Sequence, residues 1–330
     1  MRVGLDTFTL HQLALTPYQT LDFIKARGLA GAQFGSVDSL SPTLDAGELR
    51  AIREYADGLG LYTYGSITCP NIALAADREA HRKMLIAQIE AAAEVGWHEL
   101  HSVLGGPDER YQHAVPWETQ LAEATRFIRD ELGPVLRAHG SRVNLETHGE
   151  STTWELARMA EEAGPDICGI TLDTANVYCF GEDPVSAARR AAPYVHQTHT
   201  KDAIVFFSEN GLRRQVRPAG GGSLDWPAIL PILAEYSPDL ALSIEDHKWW
   251  YEIEIFQSWW HEQQADLTRE ELARVVRIAW QTGKKIAAGE LADPETYEAV
   301  PYLEQIEDRL ACARDYLNGV LAELGLLTAV

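Results

Sequence analysis

The stretch Asn144-Leu-Glu-Thr-His148 decides the fold. With Arg142 and Val143 before it, it reads as a short strand in which Glu146 and His148, two residues apart, point to one face. Each later strand then ends in a side chain able to ligate a metal: Asp173 in Gly169-Ile-Thr-Leu-Asp173, His199 in Val195-His-Gln-Thr-His199 and Glu245 in Leu242-Ser-Ile-Glu245. The intervals are 27, 26 and 46 residues. The first two match one strand-plus-helix unit, and the third holds one unit and a long loop.

The same alternation runs back to the start of the chain. Strands are expected over 2–8, 30–34, 62–67 and 99–104. Between them fall helices over 16–28, 44–59, 78–95 and 117–138, the first with Pro in its opening turn and Gly at its end. After Glu146 come a helix over 151–163 with Ser151 and Thr152 as cap candidates, a strand to Asp173, a helix over 184–192 and a strand to His199. A long loop over 201–223, a helix over 226–235 and a strand over 240–245 complete the series. Eight alternations predict an α/β fold, a (β/α)8 TIM barrel over residues 1–246, with the active site at the C-terminal strand ends where all four ligand candidates lie.

Composition is compatible with one such domain and an extension: 330 residues, 46% of them hydrophobic. No apolar run approaches the roughly 18 residues of a membrane span. The segment from Met1 reads as a strand, not a signal peptide, and a cytoplasmic protein is expected. A net charge of −21 disfavours nucleic acid and favours a neutral or cationic small molecule, although Arg213, Arg214 and Arg217 cluster and would accept an anionic group. Cys69, Cys168, Cys179 and Cys312 lack paired spacing and read as reduced thiols.

Residues 247–330 exceed the one helix needed to close a barrel, and five of the nine tryptophans fall there: Trp249, Trp250, Trp259, Trp260 and Trp280. Thr268-Arg-Glu-Glu271 resembles a capping box opening a helix to about 285, and a last helix is expected over 302–324. This helical, Trp-rich extension leaves from the catalytic end of the last strand. It is expected to pack on or over the barrel mouth, where it would wall the pocket, receive a partner or simply bury its own surface.

Three carboxylates and an imidazole form a hard-to-borderline donor set suited to one divalent ion, Mn²⁺ foremost, with Mg²⁺ or Co²⁺ as alternatives. Such an ion polarises a sugar carbonyl and acidifies the neighbouring C–H. Glu146 and Glu245 can flank a substrate as acid and base, and a neutral His148 is a further base or a stacking residue. His101, at the end of the fourth strand, is a substrate contact or a core histidine. Lys201 and Asp202 touch substrate hydroxyls or brace their strand. Arg217 is an anchor candidate, and Trp249 and Trp250 stack on a ligand or cover tail surface.

Glu146, Asp173, His199 and Glu245, with His199-Thr-Lys-Asp202 and Leu172-Asp-Thr-Ala-Asn176, resemble the sugar phosphate isomerase/epimerase superfamily of xylose isomerase-like TIM barrels over about residues 1–246. The resemblance implies metal-dependent isomerases, ketose 3-epimerases, dehydratases, related lyases or apurinic-site endonucleases. Asn176 stands where many members carry a His three residues after the Asp ligand, and Pro218-Ala-Gly-Gly-Gly222 departs from the usual Pro-x-Gly-Glu-Gly. The later Asp-x-His pair of the endonucleases is not found. Glu146-Thr-His148 and the aromatic tail after Glu245-Asp-His247 are most similar to the catalytic α subunits of C-glycoside deglycosidases. That likeness implies a metal-bound 3-oxo-glycoside, His148 as the base, C–C cleavage by elimination and a small β subunit. A free-sugar isomerase or 3-epimerase, alone or as a homo-oligomer, and a non-catalytic sugar-binding barrel are the alternatives.

Overall fold

The computed structural model describes residues 1–328. Eight parallel strands close a barrel in the order β1 (Arg2–Asp6), β10 (Ala241–Ile244), β7 (Val195–Thr200), β6 (Cys168–Asp173), β5 (Arg142–Glu146), β4 (Glu99–Ser102), β3 (Tyr62–Ser66) and β2 (Gly31–Ser36). Helices cover the outer wall, so the TIM barrel expected from the strand spacing is the fold observed. Outward residues such as Val143, Leu145, Ile170 and Leu172 are fully buried beneath the helices.

The inward face is unusually polar. Asn144 donates to Glu99 Oε2 at 2.8 Å, Thr171 to Gln197 Oε1 at 3.2 Å and Gln197 to the Glu99 carbonyl at 3.0 Å. Below this tier the Tyr62 side chain fills the barrel floor, and a Cβ on Gly4 would lie 1.9 Å from its hydroxyl and one on Gly31 2.3 Å from its ring. Glycine in β1 and β2 is thus set by the ring, not by a turn.

Residues 201–223 are not the loop expected. β8 (Asp202–Ser208) and β9 (Gly211–Arg217) form an antiparallel hairpin, and β11 (Trp250–Ile253) pairs with β9 to make a three-stranded sheet outside the barrel. The signal was present: Ala203-Ile-Val-Phe-Phe207 is rich in β-formers, and Asn210-Gly211 supplies the turn, with Gly211 at φ 147°. The helix expected over 117–138 is broken by a π-helical stretch, Ile128–Leu132, before Gly133-Pro134. Pro134 has no N–H to continue the ladder, and the wider turn accommodates it.

Thr152 and Glu155 form a full capping box for helix Thr153–Ala163. At Thr268 only half forms: its hydroxyl accepts from Glu271 N, whereas the Glu271 carboxylate pairs with Arg190. A short helix, Pro294–Ala299, precedes the last one, Tyr302–Glu323, which packs on β1, β10 and helix Trp226–Tyr236. Among the described residues no helix is long and apolar enough to cross a membrane.

Candidate metal centre

Glu146 ends β5, Asp173 ends β6, His199 lies on β7 and Glu245 follows β10, so four strand ends aim at one point above the polar tier. One donor atom from each lies within 4.8 Å of all the others. His199 Nδ1 is 3.2 Å from Glu146 Oε1 and 2.9 Å from Glu245 Oε2. Asp173 divides its oxygens: Oδ1 accepts from the N–H groups of Ala175 and Asn176 at 2.9 and 2.8 Å, and Oδ2 points inward. The inward atoms Asp173 Oδ2, His199 Nδ1 and Glu245 Oε2 are buried, and their polar contacts are with one another, Glu146 Oε1 and the Lys201 ammonium. Three buried carboxylates meeting at one point need more positive charge than one lysine brings, and a divalent cation would engage all three atoms at once.

Neighbouring side chains orient these donors. Gln33 meets His199 Nε2 at 2.8 Å and Asp6 Oδ2 lies 3.4 Å from the same nitrogen, fixing the ring from behind so that Nδ1 faces the carboxylates. His101 Nε2 is 3.0 Å from Glu146 Oε2, with Ser66 behind its other nitrogen. Asn176 reaches Glu146 Oε1 at 3.5 Å. Lys201 Nζ lies 2.8 Å from Asp173 Oδ2 and 2.9 Å from Glu245 Oε2.

Burial by itself would raise Glu146 and Glu245, but His199 for the first, and Lys201 then His199 for the second, hold both carboxyls well below the usual range. Burial raises Asp173 against the pull of Lys201. His199 is driven well above the ordinary histidine value, against its burial, by Glu146 and Glu245. Charge at this point is therefore positive by preference.

A cavity of about 520 Å³ opens above the centre, lined by His101, Glu146, His148, His199 and Glu245 on one side. Its other wall is apolar, with Phe34 from β2 itself and Phe8, Leu10, Leu15 and Leu40 from the segments after β1 and β2. No described residue beyond Glu245 lines it. The wall expected from the Trp-rich tail is built instead by these earlier loops, because the tail joins the outer sheet through β11. Trp249 is packed among His247, Tyr251 and the Arg214 guanidinium, and Trp250 lies under Arg213.

His148 faces the cavity with Nδ1 2.8 Å from Glu150 Oε2, which leaves Nε2 free. Sequence reasoning expected a neutral ring. Although burial opposes it, the Glu150 carboxylate pushes the imidazole up to about 9, with Glu146 adding to the effect. Two positive charges placed on Glu146 would act in the opposite direction.

Of the other expected contacts, His101 enters the cavity, whereas Asn176 and Lys201 do not line it and instead contact Glu146 and the Asp173 and Glu245 carboxylates, respectively. Arg217 is turned away, stacked on Tyr297 at 3.3 Å and donating to Gln215. Asp202 braces: it accepts from four backbone N–H groups and the Trp226 indole. Sequence reasoning missed Asp6, Gln33 and Glu150. Asp6 ends β1 and faces Gln33 in the middle of β2, so the strand-end pattern covers the first and not the second. Glu150 was legible as the next acid after Glu146 and His148.

A family model described as xylose isomerase-like TIM barrel matches residues 21–277. Among curated proteins, the uncharacterised YihM of Escherichia coli K12 is 25% identical over 117 residues, 34% of this chain and 36% of that protein, so the match spans about a third of the relative. A D-psicose 3-epimerase from Clostridium cellulolyticum H10, solved with D-tagatose, superposes with a TM-score of 0.67 at 14% identity, covering 97% of this chain and 99% of the other. The 3-keto-D-glucoside 4-epimerase of Escherichia coli gives 0.57 at 15% identity, covering 84% and 99%. A probable 3-DHS dehydratase from Bacillus anthracis gives 0.57 at 17%, covering 74% and 93%. At these identities the structural likenesses establish the fold alone.

Proposed function

The chain belongs to the xylose isomerase-like TIM barrel family, and on that premise we propose that it is a divalent-metal-dependent, sugar-active enzyme that removes a proton from the carbon beside a carbonyl. The observation that carries this reading is the convergence of Glu146, Asp173, His199 and Glu245 beneath a cavity that also presents His148. When bound by these four residues, an ion such as Mn²⁺ supplies Lewis-acid polarisation of the carbonyl oxygen.

The lead reaction is elimination from a 3-oxo-C-glycoside. His148 Nε2 takes the proton next to the carbonyl while Glu150 holds the ring. The electron pair of the C–H bond becomes a double bond, the bond to the aglycone breaks, and the aglycone carbon takes up a proton. The apolar wall formed by Phe8, Phe34 and Leu40 suits a flat aglycone and keeps water from the reacting carbon. A 3-keto-glucoside epimerase and a dehydratase among the proteins of like fold perform related chemistry by their names.

A second reading, isomerisation or 3-epimerisation of a free sugar, is favoured by Glu146 and Glu245 flanking His199 from two sides. The Mn²⁺-loaded chain, alone and with any copurifying small subunit, is incubated with a 3-oxo-C-glycoside and, separately, with free ketoses in D₂O. Release of aglycone that is lost in His148→Ala supports elimination. Deuterium uptake by a ketose, lost in Glu245→Gln but kept in His148→Ala, supports the second reading. Neither product with stoichiometric metal bound leaves a non-catalytic sugar-binding barrel.

A further inference from the structure

Lys201 follows His199 by two residues and projects to the same side of the chain, toward the four donors. Its backbone is pinned by Thr174, whose hydroxyl accepts from Lys201 N at 3.1 Å and donates to Lys201 O at 2.6 Å. The side chain is 2% exposed, with Nζ 2.8 Å from Asp173 Oδ2 and 2.9 Å from Glu245 Oε2. Both oxygens are at ion-pair distance from the ammonium. The ammonium therefore offsets part of their charge.

The charge count then becomes specific. With His199 neutral, as a ligating imidazole must be, Glu146, Asp173 and Glu245 bring three negative charges, and Lys201 leaves two. The charges just outside come in opposite pairs: Asp6 behind His199 with Arg214, fully buried and bonded to Asn176 Oδ1 at 2.9 Å, and Glu150 with His148. These outer charges offset one another, so a single divalent ion brings the buried group to neutrality.

We propose that Lys201 is a fixed internal counter-charge of the metal centre, setting it to hold one divalent ion and disfavouring a trivalent one. The inference rests on the reading that Glu146, Asp173, His199 and Glu245 hold the ion. It gives Lys201 a role different from the substrate contact expected of it. Repulsion between an ammonium and a cation scales with the cation's charge. Removing the ammonium must therefore favour both ions, and the trivalent one more.

The test compares wild type, Lys201→Met and Lys201→Arg, each prepared with Mn²⁺ present and then titrated against a chelator. Tb³⁺ binding is followed by its luminescence. Lys201→Met is expected to bind Mn²⁺ about tenfold tighter and Tb³⁺ about thirtyfold tighter, in keeping with a charge ratio of three to two. Lys201→Arg, which keeps the charge, stays near wild type. Unchanged or weaker Mn²⁺ binding in Lys201→Met overturns the proposal, as does an equal gain for both ions, which a merely structural change would give. If Lys201→Met does not fold, Lys201→Gln is measured by the same criteria. Wild type binding less than one equivalent of Mn²⁺ removes the metal reading itself, a failure visible before any variant is examined.

Discussion

Asp173 is the donor with two tasks, one oxygen capping the turn at Ala175 and Asn176 and the other facing its fellow ligand candidates. Replacing a residue that only orients a ligand costs about 10–100-fold in metal affinity, and loss of a ligand costs more. Asp173→Ala and His199→Ala should each bring Mn²⁺ content from one equivalent to background by elemental analysis; retained stoichiometric metal in both would remove the centre. His148→Ala is expected to keep the metal but lower kcat by about 10²–10⁴-fold, the usual weight of a general base. Glu150 raises the pKa of His148, so in Glu150→Gln the rising limb of kcat against pH should move to lower pH. An unmoved limb would mean that Glu150 does not act through His148. The convergence of these four side chains was legible because strand-end position and residue type coincide at regular intervals. The raised pKa of His148 was not, since it depends on a carboxylate whose direction only the folded turn fixes.

At the scale of the element, the hairpin of β8 and β9 shows where sequence reading failed and why. Its Gly-rich exit, Pro218 to Gly222, drew the whole segment into a loop reading and masked the strand run before it. The exit is instead wrapped on the Asp202 carboxylate, and a Cβ on Gly222 would lie 2.0 Å from Asp202 Oδ1. Burial pushes this carboxyl up to about 6 even though the indole of Trp226 and backbone N–H groups pull it down. Asp202→Ala orphans several buried donors at once and should cost about 2–4 kcal/mol in urea unfolding. Gly222→Ala should also destabilise, through the clash. If Asp202→Ala unfolds at the wild-type midpoint, the carboxylate does not hold the turn.

For the whole molecule, charge was the most readable property, and its consequence for stability is a contest between distributed and local terms. A net charge of −21 repels itself, and this repulsion eases as carboxylates protonate toward the isoelectric point near 4.9. His196 works in the other direction. At the start of β7 its ring packs against Gly169 at the barrel floor, and burial, aided by Arg142, lowers it from 6.5 to about 4. Between those values the unfolded chain binds a proton that the folded chain refuses, so stability is full above about 6.5 and is lost as pH falls toward 4. The ring is only partly covered, so solvent screening reduces the effect of this shift to about 1–2 kcal/mol. Urea unfolding of wild type and His196→Gln at pH 7 and pH 4.5 isolates that term. The loss on acidification should be smaller in the variant by about 1–2 kcal/mol. Equal losses would show that the acid sensitivity of the fold arises elsewhere, with the carboxylates of the metal centre the next groups to examine.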